Sequence, residues 1–422
     1  MSYTLIHNGT LIDGSNVTPV QDGAILLKDN MIADVGRKAD IKLPDADITM
    51  IDANGGTILP GMIDAHVHMM FRDLSLSTVM TRPFSYQFYD AIKNFEDTLM
   101  CGVTTVRDAG GADFGIKQAL NEGLFRGPRM QISINLIGNV GGHSDDYLLS
   151  GARANLFSGY PGRPDGIADG IEGVRRKVRE MRQMGAEVIK ICTTGGVGSP
   201  QDHPFDVTFS PAEVEAIVEE AAFREGTRVM SHAIGAAGIN VALRAGVHSI
   251  EHATLIDEEG IELALESGAW LVPTLLVTTP IPRQPKPGDP PPPPRPPWVF
   301  SKGAELRARM NGQMKRAYEA GVKIAMGTDS GVMPHGFNLH ELHLMCDQFG
   351  MQPMEAIQAT TKVAAECMGE DWAAQVGTLE KGKLADVIVC STDPIADIKS
   401  LADPANITLV MKDGIVEKDI RD

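Results

Sequence analysis

The sequence predicts an α/β protein: a (β/α)8 TIM barrel with a small β-sandwich domain formed by the N- and C-terminal segments. Three observations predict it. Eight apolar, strand-like runs alternate with helical stretches through the middle of the chain, a pattern that calls for parallel strands joined by helical crossovers. Both ends are instead rich in short strands punctuated by Asn, Asp and Gly. Side chains suited to binding a metal sit at the C-terminal ends of the apolar runs, where barrels keep their chemistry.

At the N-terminal end, Tyr3-Thr-Leu-Ile-His-Asn-Gly, Gly23-Ala-Ile-Leu-Leu-Lys and Met31-Ile-Ala-Asp-Val-Gly combine β-formers with turn residues. Barrel strands are then expected at Ile58–His68, Thr104–Ala109, Arg129–Gly138, Glu187–Thr194, Arg228–His232, Ser249–His252, Trp270–Leu276 and Lys323–Asp329. Amphipathic helices separate several of them, at Ile171–Met184, Pro211–Glu225 and Lys302–Ala320. Ala385-Asp-Val-Ile-Val-Cys and Ile407-Thr-Leu-Val-Met-Lys close the chain, with a hairpin turn at Asp413-Gly414. The expected division is residues 1–58 with 373–422 in the small domain and 59–372 in the barrel. Residues 280–297 depart from the alternation. Pro290–Pro294 is an unbroken run, so an extended surface loop of polyproline II character is expected. Following the seventh strand, it is either a tolerated insertion or a rim element touching substrate or a neighbouring subunit.

A chain of 422 residues accommodates a barrel plus a second unit. The formal net charge of −17 repels polyanions, which disfavours nucleic acid and anionic membrane surfaces as partners. No apolar run is long enough for a transmembrane helix. Five dispersed cysteines (Cys101, Cys192, Cys346, Cys367, Cys390) form no CxxC pair, which fits a reducing compartment and a cytoplasmic location.

His66 and His68 end the first barrel strand. Residues i and i+2 of a strand share a face, so both imidazoles can reach one ion. Asp64 shares that face and is a candidate for orienting one of them, or equally a polar residue at a strand end. Lys190 lies in an otherwise apolar strand, and a buried lysine needs a reason. One is a salt bridge or a snorkelling ammonium; another is carboxylation by carbon dioxide to a carbamate that bridges two metals. Carboxylation needs the neutral amine, only about 0.04% of a lysine of ordinary pKa at pH 7. His232 and His252 end two successive strands, each followed by alanine, and Asp329 ends the last. These nitrogen and oxygen donors suit Zn2+ or a similar divalent ion. Such ions lower the pKa of bound water and polarise a carbonyl. Arg107 and Asp108 read as a structural ion pair. The loop Gly195-Gly-Val-Gly-Ser lacks the lysine of a phosphate-binding loop and reads as backbone lining the site. His335, His340 and His343 carry no clear role; His340 and His343 could share one helix face.

Together, Leu59-Pro-Gly-Met-Ile-Asp-Ala-His-Val-His, Gly102-Val-Thr-Thr-Val-Arg-Asp-Ala-Gly-Gly, the strand lysine, the two His-Ala ends, Gly327-Thr-Asp-Ser-Gly and the closing Gly377-Thr-Leu-Glu-Lys-Gly-Lys-Leu-Ala-Asp-Val-Ile-Val resemble the amidohydrolase superfamily, binuclear metal type. The chain is most similar to its imidazolonepropionase-like branch, with Xaa-Pro dipeptidases and related metal-dependent carboxypeptidases. That resemblance implies two divalent metal ions, with Zn2+ the expected metal. His66 and His68 would hold the more buried ion, His232 and His252 the outer one, and carboxylated Lys190 would bridge them. Asp329 would be the general acid/base for a metal-bound hydroxide. His143, in Asn139-Val-Gly-Gly-His-Ser, matches a histidine that contacts substrate, and would stabilise developing oxyanion charge. Ile234 stands where relatives often carry a tyrosine that contacts substrate, which points to a more apolar substrate. The implied function is hydrolysis of a peptide or N-acyl amino acid amide, on a small-molecule substrate, by a homo-oligomer. The alternative is opening of a cyclic amide of lactam or imidazolone type. Deamination is disfavoured because residues 233–240 contain no acid, and a non-catalytic role because all six ligand positions are filled.

Overall fold

The computed structural model describes residues 2–15, 18–72, 80–145, 147, 150–152, 156–279 and 295–421. Of the proline-rich segment, residues 280–294 lie outside the described residues. Pro297 is not loop: it opens a helix, Pro297–Arg309, at the first-turn position where its fixed φ and missing N–H cost nothing.

The two ends of the chain meet in one sheet. Strands β1 (Tyr3–Leu11), β2 (Val20–Lys28), β3 (Met31–Arg37), β4 (Ile48–Asp52) and β5 (Thr57–Pro60) join three strands from near the C-terminus. The expected sandwich is therefore hydrogen-bonded as a single eight-stranded sheet. The reason lies in β1. Asn8 takes a left-handed φ of 62°, and the register shifts there. Before the shift Tyr3–His7 pair with β4, and after it Thr10 and Leu11 pair with β5. Both faces are covered: Ile6, Ile25, Leu27, Val387 and Leu409 pack on one, and Leu5, Ala24, Leu26 and Ile41 on the other. The turn expected at Asp413-Gly414 is present, with Lys412 opposite Ile415.

The middle of the chain forms two parallel sheets. One contains β6 (Met62–Val67), β7 (Val103–Asp108) and β8 (Arg129–Ile132). The other runs from β9 (Leu136–Ile137) through β10 (Val188–Cys192), β11 (Arg228–Ala233), β12 (Ser249–His252) and β13 (Trp270–Val272) to β14 (Lys323–Ile324). Two expected strands are broken. The run Ile58–His68 splits at Gly61 into β5, in the terminal sheet, and β6, in a parallel one. A side chain at Gly61 would place its Cβ 2.1 Å from Thr104 Oγ1, so only glycine lets the chain pass there. The run Arg129–Gly138 splits at Ile134, where φ is 68°. Helices pack outside the parallel strands, and their starts are written in the sequence. Asp113 and Asp257 accept from Ile116 N and Gly260 N, and Ser210 with Glu213 forms a capping box. The expected helix Lys302–Ala320 is two, Pro297–Arg309 and Gln313–Glu319, separated at Gly312 with φ 83°. No described helix is long and apolar enough to cross a membrane.

Candidate metal centre

The C-terminal ends of β6, β10, β11, β12 and the segment after β14 bring the expected ligands together. His66 Nε2 lies 3.6 Å and His68 Nε2 3.3 Å from Asp329 Oδ1. His66, His252 and Asp329 present ligand atoms within 4.8 Å of one another, a group that could hold a metal ion. The His252 ring lies 5.2 Å from His66 and 4.6 Å from His232. The backbone is strained where it delivers two of them: φ is 68° at His252 and 58° at Asp329, both left-handed and neither glycine.

Each histidine has one ring nitrogen committed to the protein. His66 Nδ1 donates to Glu251 Oε2 at 2.6 Å, and His68 Nδ1 to the Gly110 carbonyl at 2.8 Å. His232 Nε2 donates to the Gly195 carbonyl at 3.1 Å, and His252 Nδ1 lies 2.7 Å from Thr274 Oγ1. In the first three the committed nitrogen must carry the hydrogen, so the other bears a lone pair when the ring is neutral. Among the described residues, the buried His66 Nε2 and Asp329 Oδ1 have no hydrogen-bond partner. A lone pair facing a carboxylate oxygen in a dry interior is repulsive unless a cation sits between them. The donor set fits a divalent metal for this reason.

Electrostatics agree. Burial pushes His66 and His232 well below the ordinary histidine range and His252 to about 4, which keeps these rings neutral at pH 7. Burial also acts to lower His68, but contact with Asp329 outweighs it and raises that ring. Burial would raise Asp329, yet His68, His66 and His252 outweigh it and hold the carboxyl well below the usual range. Lys190 is buried, and burial lowers its pKa. It makes no ion pair with a described residue, so the salt-bridge reading finds no partner there.

Two expectations are corrected. Asp64 orients no imidazole. It accepts from the backbone N–H groups of His66 and Thr328, from Thr328 Oγ1 at 2.6 Å and from Asn338 Nδ2 at 2.7 Å, so it staples β6 to the Asp329 loop. Glu251 orients His66 instead, and nothing in the sequence marks it beyond its place before His252. Arg107 does not pair with Asp108. Adjacent residues of a strand point to opposite sides: Arg107 reaches Glu251 Oε1 at 3.0 Å, while Asp108 accepts from Met69, Gly110 and Ala112 N–H groups.

His143 lies against the centre, its ring stacked on His232 at 4.1 Å. Its Nδ1 lies 3.0 Å from Ser199 Oγ and 3.3 Å from Asp202 Oδ2. The loop after β10 contributes Gly195 as the acceptor for His232, in keeping with a backbone lining role. Ile234 is buried, its N–H donating to Thr194 Oγ1 at 3.0 Å. The other histidines do not join the cluster. His340 and His343 face each other at 3.3 Å on the helix His340–Phe349, and His335 bonds Thr98 and Phe71.

Imidazoles at the ends of parallel strands, facing an ionised carboxylate on the segment after β14, fit a metal-dependent hydrolase scaffold. Residues 57–416 match the amidohydrolase family model, and the chain belongs to that family. It is 35% identical to ochratoxinase of Aspergillus niger over 427 residues, 97% of this chain and 86% of that protein. It is 24% identical to imidazolonepropionase of Shewanella piezotolerans over 413 residues, 94% of this chain and 93% of that one. Among solved structures, a Xaa-Pro dipeptidase with bound methionine in the active site superposes with a TM-score of 0.85 at 33% identity, covering 99% of this chain and 100% of that one. The ochratoxinase structure gives a TM-score of 0.84 at 31% identity, with 99% and 96% covered.

Proposed function

We propose that this enzyme hydrolyses the amide bond of a dipeptide or an N-acyl amino acid with two divalent metal ions, Zn2+ being the simplest choice. His66, His68, His232, His252 and Asp329 would hold them, with Lys190 carboxylated between. His66 Nε2, buried with no hydrogen-bond partner among the described residues and 3.6 Å from the buried Asp329 Oδ1, carries this reading. Relatives named for ochratoxin and for Xaa-Pro dipeptides support the substrate class. Bound there, the ions would supply an activated water and polarise the scissile carbonyl.

The chain's own groups do the rest. Asp329, ionised at pH 7, accepts the proton of the attacking water and delivers it to the leaving amine. His143, stacked on His232, contacts the substrate. Lys190 is held in an apolar strand where burial favours the neutral amine that carboxylation requires. Ile234 limits the polarity of the substrate side chain.

The two parallel sheets would be parts of one (β/α)8 barrel of residues 59–372, with 1–58 and 373–422 forming the small domain. Supporting this are backbone bonds from Ala65 N to Met326 O at 2.9 Å and from Asp329 N to His66 O at 2.7 Å on one side. On the other, Glu187 N donates to Ile132 O at 2.8 Å.

The test is turnover of a panel of Xaa-Pro, Xaa-Phe and Xaa-Arg dipeptides and N-acyl amino acids by enzyme of measured metal content. Hydrolysis within the panel with close to two metals per chain is expected. Fewer than one metal per chain, or turnover of a lactam or hydantoin alone, would overturn it. Lys190→Ala should abolish activity, with partial rescue by added short-chain carboxylic acids; full activity without them would remove the carbamate.

A further inference from the structure

The loop between β10 and the helix Pro211–Ala222 is built as a clamp on His143. Asp202, on that loop, is buried. Its Oδ2 accepts from Gly196 N at 2.7 Å and lies 3.3 Å from His143 Nδ1, and its Oδ1 accepts the Ser199 hydroxyl. Burial works to raise this carboxyl, but His143, Ser199 and Gly196 outweigh it and bring it down to about 2, so it is ionised.

The loop is fastened from outside. The ammonium of Lys302, itself buried, donates to the carbonyls of Ser199 (2.7 Å), Gly196 (3.4 Å) and Asp202, and stands 3.5 Å from Asp202 Oδ1. Trp298 Nε1 donates to Gly198 O at 3.1 Å, His203 meets Glu305 at 3.2 Å, and the Arg309 guanidinium lies 3.6 Å from the Phe205 ring centre. Residues 298, 302, 305 and 309 are spaced by four, three and four, which is one face of a helix. That whole face grips the loop carrying Asp202. On the other side, a Cβ at Gly196 would sit 2.0 Å from His143 Cε1, so the ring is pressed flat between Gly196 and His232.

Proton counting then assigns the tautomer. Ser199 has one hydroxyl hydrogen, and it goes to the Asp202 carboxylate, which can only accept. His143 Nδ1 therefore faces two acceptors and must carry the hydrogen. We propose that Asp202 is a positioning residue for hydrolysis: it keeps the hydrogen on His143 Nδ1, so that the neutral ring offers substrate a lone pair at Nε2 and accepts a substrate N–H there, with Lys302 fixing the loop that carries it. This rests on His143 contacting substrate, as the proposed function has it. A reversed tautomer would put a hydrogen on Nε2 and a lone pair against two acceptors.

The test is 15N NMR of the metal-loaded protein labelled at histidine nitrogen, with His143 assigned by the signals missing from His143→Gln. A protonated Nδ1 on His143 is expected, and an unprotonated one in the unaltered enzyme would overturn the proposal without any variant. Asp202→Ala frees the Ser199 hydrogen to donate to Nδ1, and should move the proton to Nε2. It should also lower kcat/KM by about 10–100-fold at unchanged metal content. Ser199→Ala should keep Nδ1 protonated, since Asp202 remains. Retention of Nδ1–H in Asp202→Ala, or an activity loss explained by lost metal, would overturn the assignment. Absence of turnover by the unaltered enzyme on every substrate would sink the hydrolase reading alone, because the NMR readout needs no substrate.

Discussion

At the scale of single residues, the cluster depends on an acid outside it. Glu251 joins His66 Nδ1 to Arg107, and Ser249 Oγ donates to it at 2.6 Å. Replacing it by glutamine keeps the shape and removes the charge that fixes the His66 tautomer. Glu251→Gln should lower metal affinity about 10–100-fold, read as metal retained against a competing chelator; an unchanged retention curve would discard this role. His335, which bonds Thr98 and Phe71 beside the His68 backbone, offers a pH test at a histidine outside the cluster. Burial pushes it down to about 4, against an ordinary value of 6.5. The unfolded chain thus binds a proton that the folded chain refuses until much lower pH. Stability fully present above pH 6.5 should be lost as the pH falls towards 4, by up to about 3 kcal/mol. Urea unfolding at several pH values should give His335→Gln a shallower loss over that window; equal slopes would refute the assignment. His66, His68 and Asp329 were legible because strand period and strand end are local facts. Glu251 was not, since its partners lie 185 and 144 residues away.

At the scale of elements, the delicate piece is the turn after β14. Gly327 has no room for a side chain: a Cβ would lie 2.4 Å from Val272 Cγ1 and 2.9 Å from His66 Cβ. Both neighbours sit in strands that cannot retreat independently. Gly327→Ala should destabilise the fold by about 1–3 kcal/mol and displace Asp329 from His66 and His68, with metal content falling at the same time. Wild-type stability together with wild-type metal content would contradict this. The glycine is visible in Gly327-Thr-Asp-Ser-Gly, but its reason is not, because the crowding comes from β6 and β13. The same limit explains the split of Ile58–His68. Apolar periodicity is continuous through Gly61, and only the departure of β5 into another sheet breaks the run.

At the scale of the molecule, the terminal sheet is tied to the parallel strands by buried charge. Arg129, at the start of β8, makes a two-pronged pair with Asp386 at 2.7 and 3.2 Å and reaches Asp413 at 2.5 Å. Desolvation acts against the charged guanidinium, but these carboxylates outweigh it. Asp386→Ala would leave Arg129 with Thr105 Oγ1 and the partly exposed Asp413 as its remaining partners. A loss of about 3–5 kcal/mol is expected on denaturant unfolding, and a loss below 1 kcal/mol would show the link to be dispensable.

The sequence by itself determined the alternation of strands and helices, the β-rich character of both ends, the hairpin at Asp413-Gly414 and the identity of the cluster His66, His68, His252 and Asp329. Each is written in local periodicity or in a motif of adjacent residues. Only the tertiary structure decided which acid orients His66, that Asp64 staples backbone, that Arg107 turns from Asp108 to Glu251, and that Asp202 and Lys302 hold the loop against His143. Those contacts join residues far apart in the chain. Their energies come from burial and from counting hydrogens among packed groups, which a one-dimensional pattern does not record.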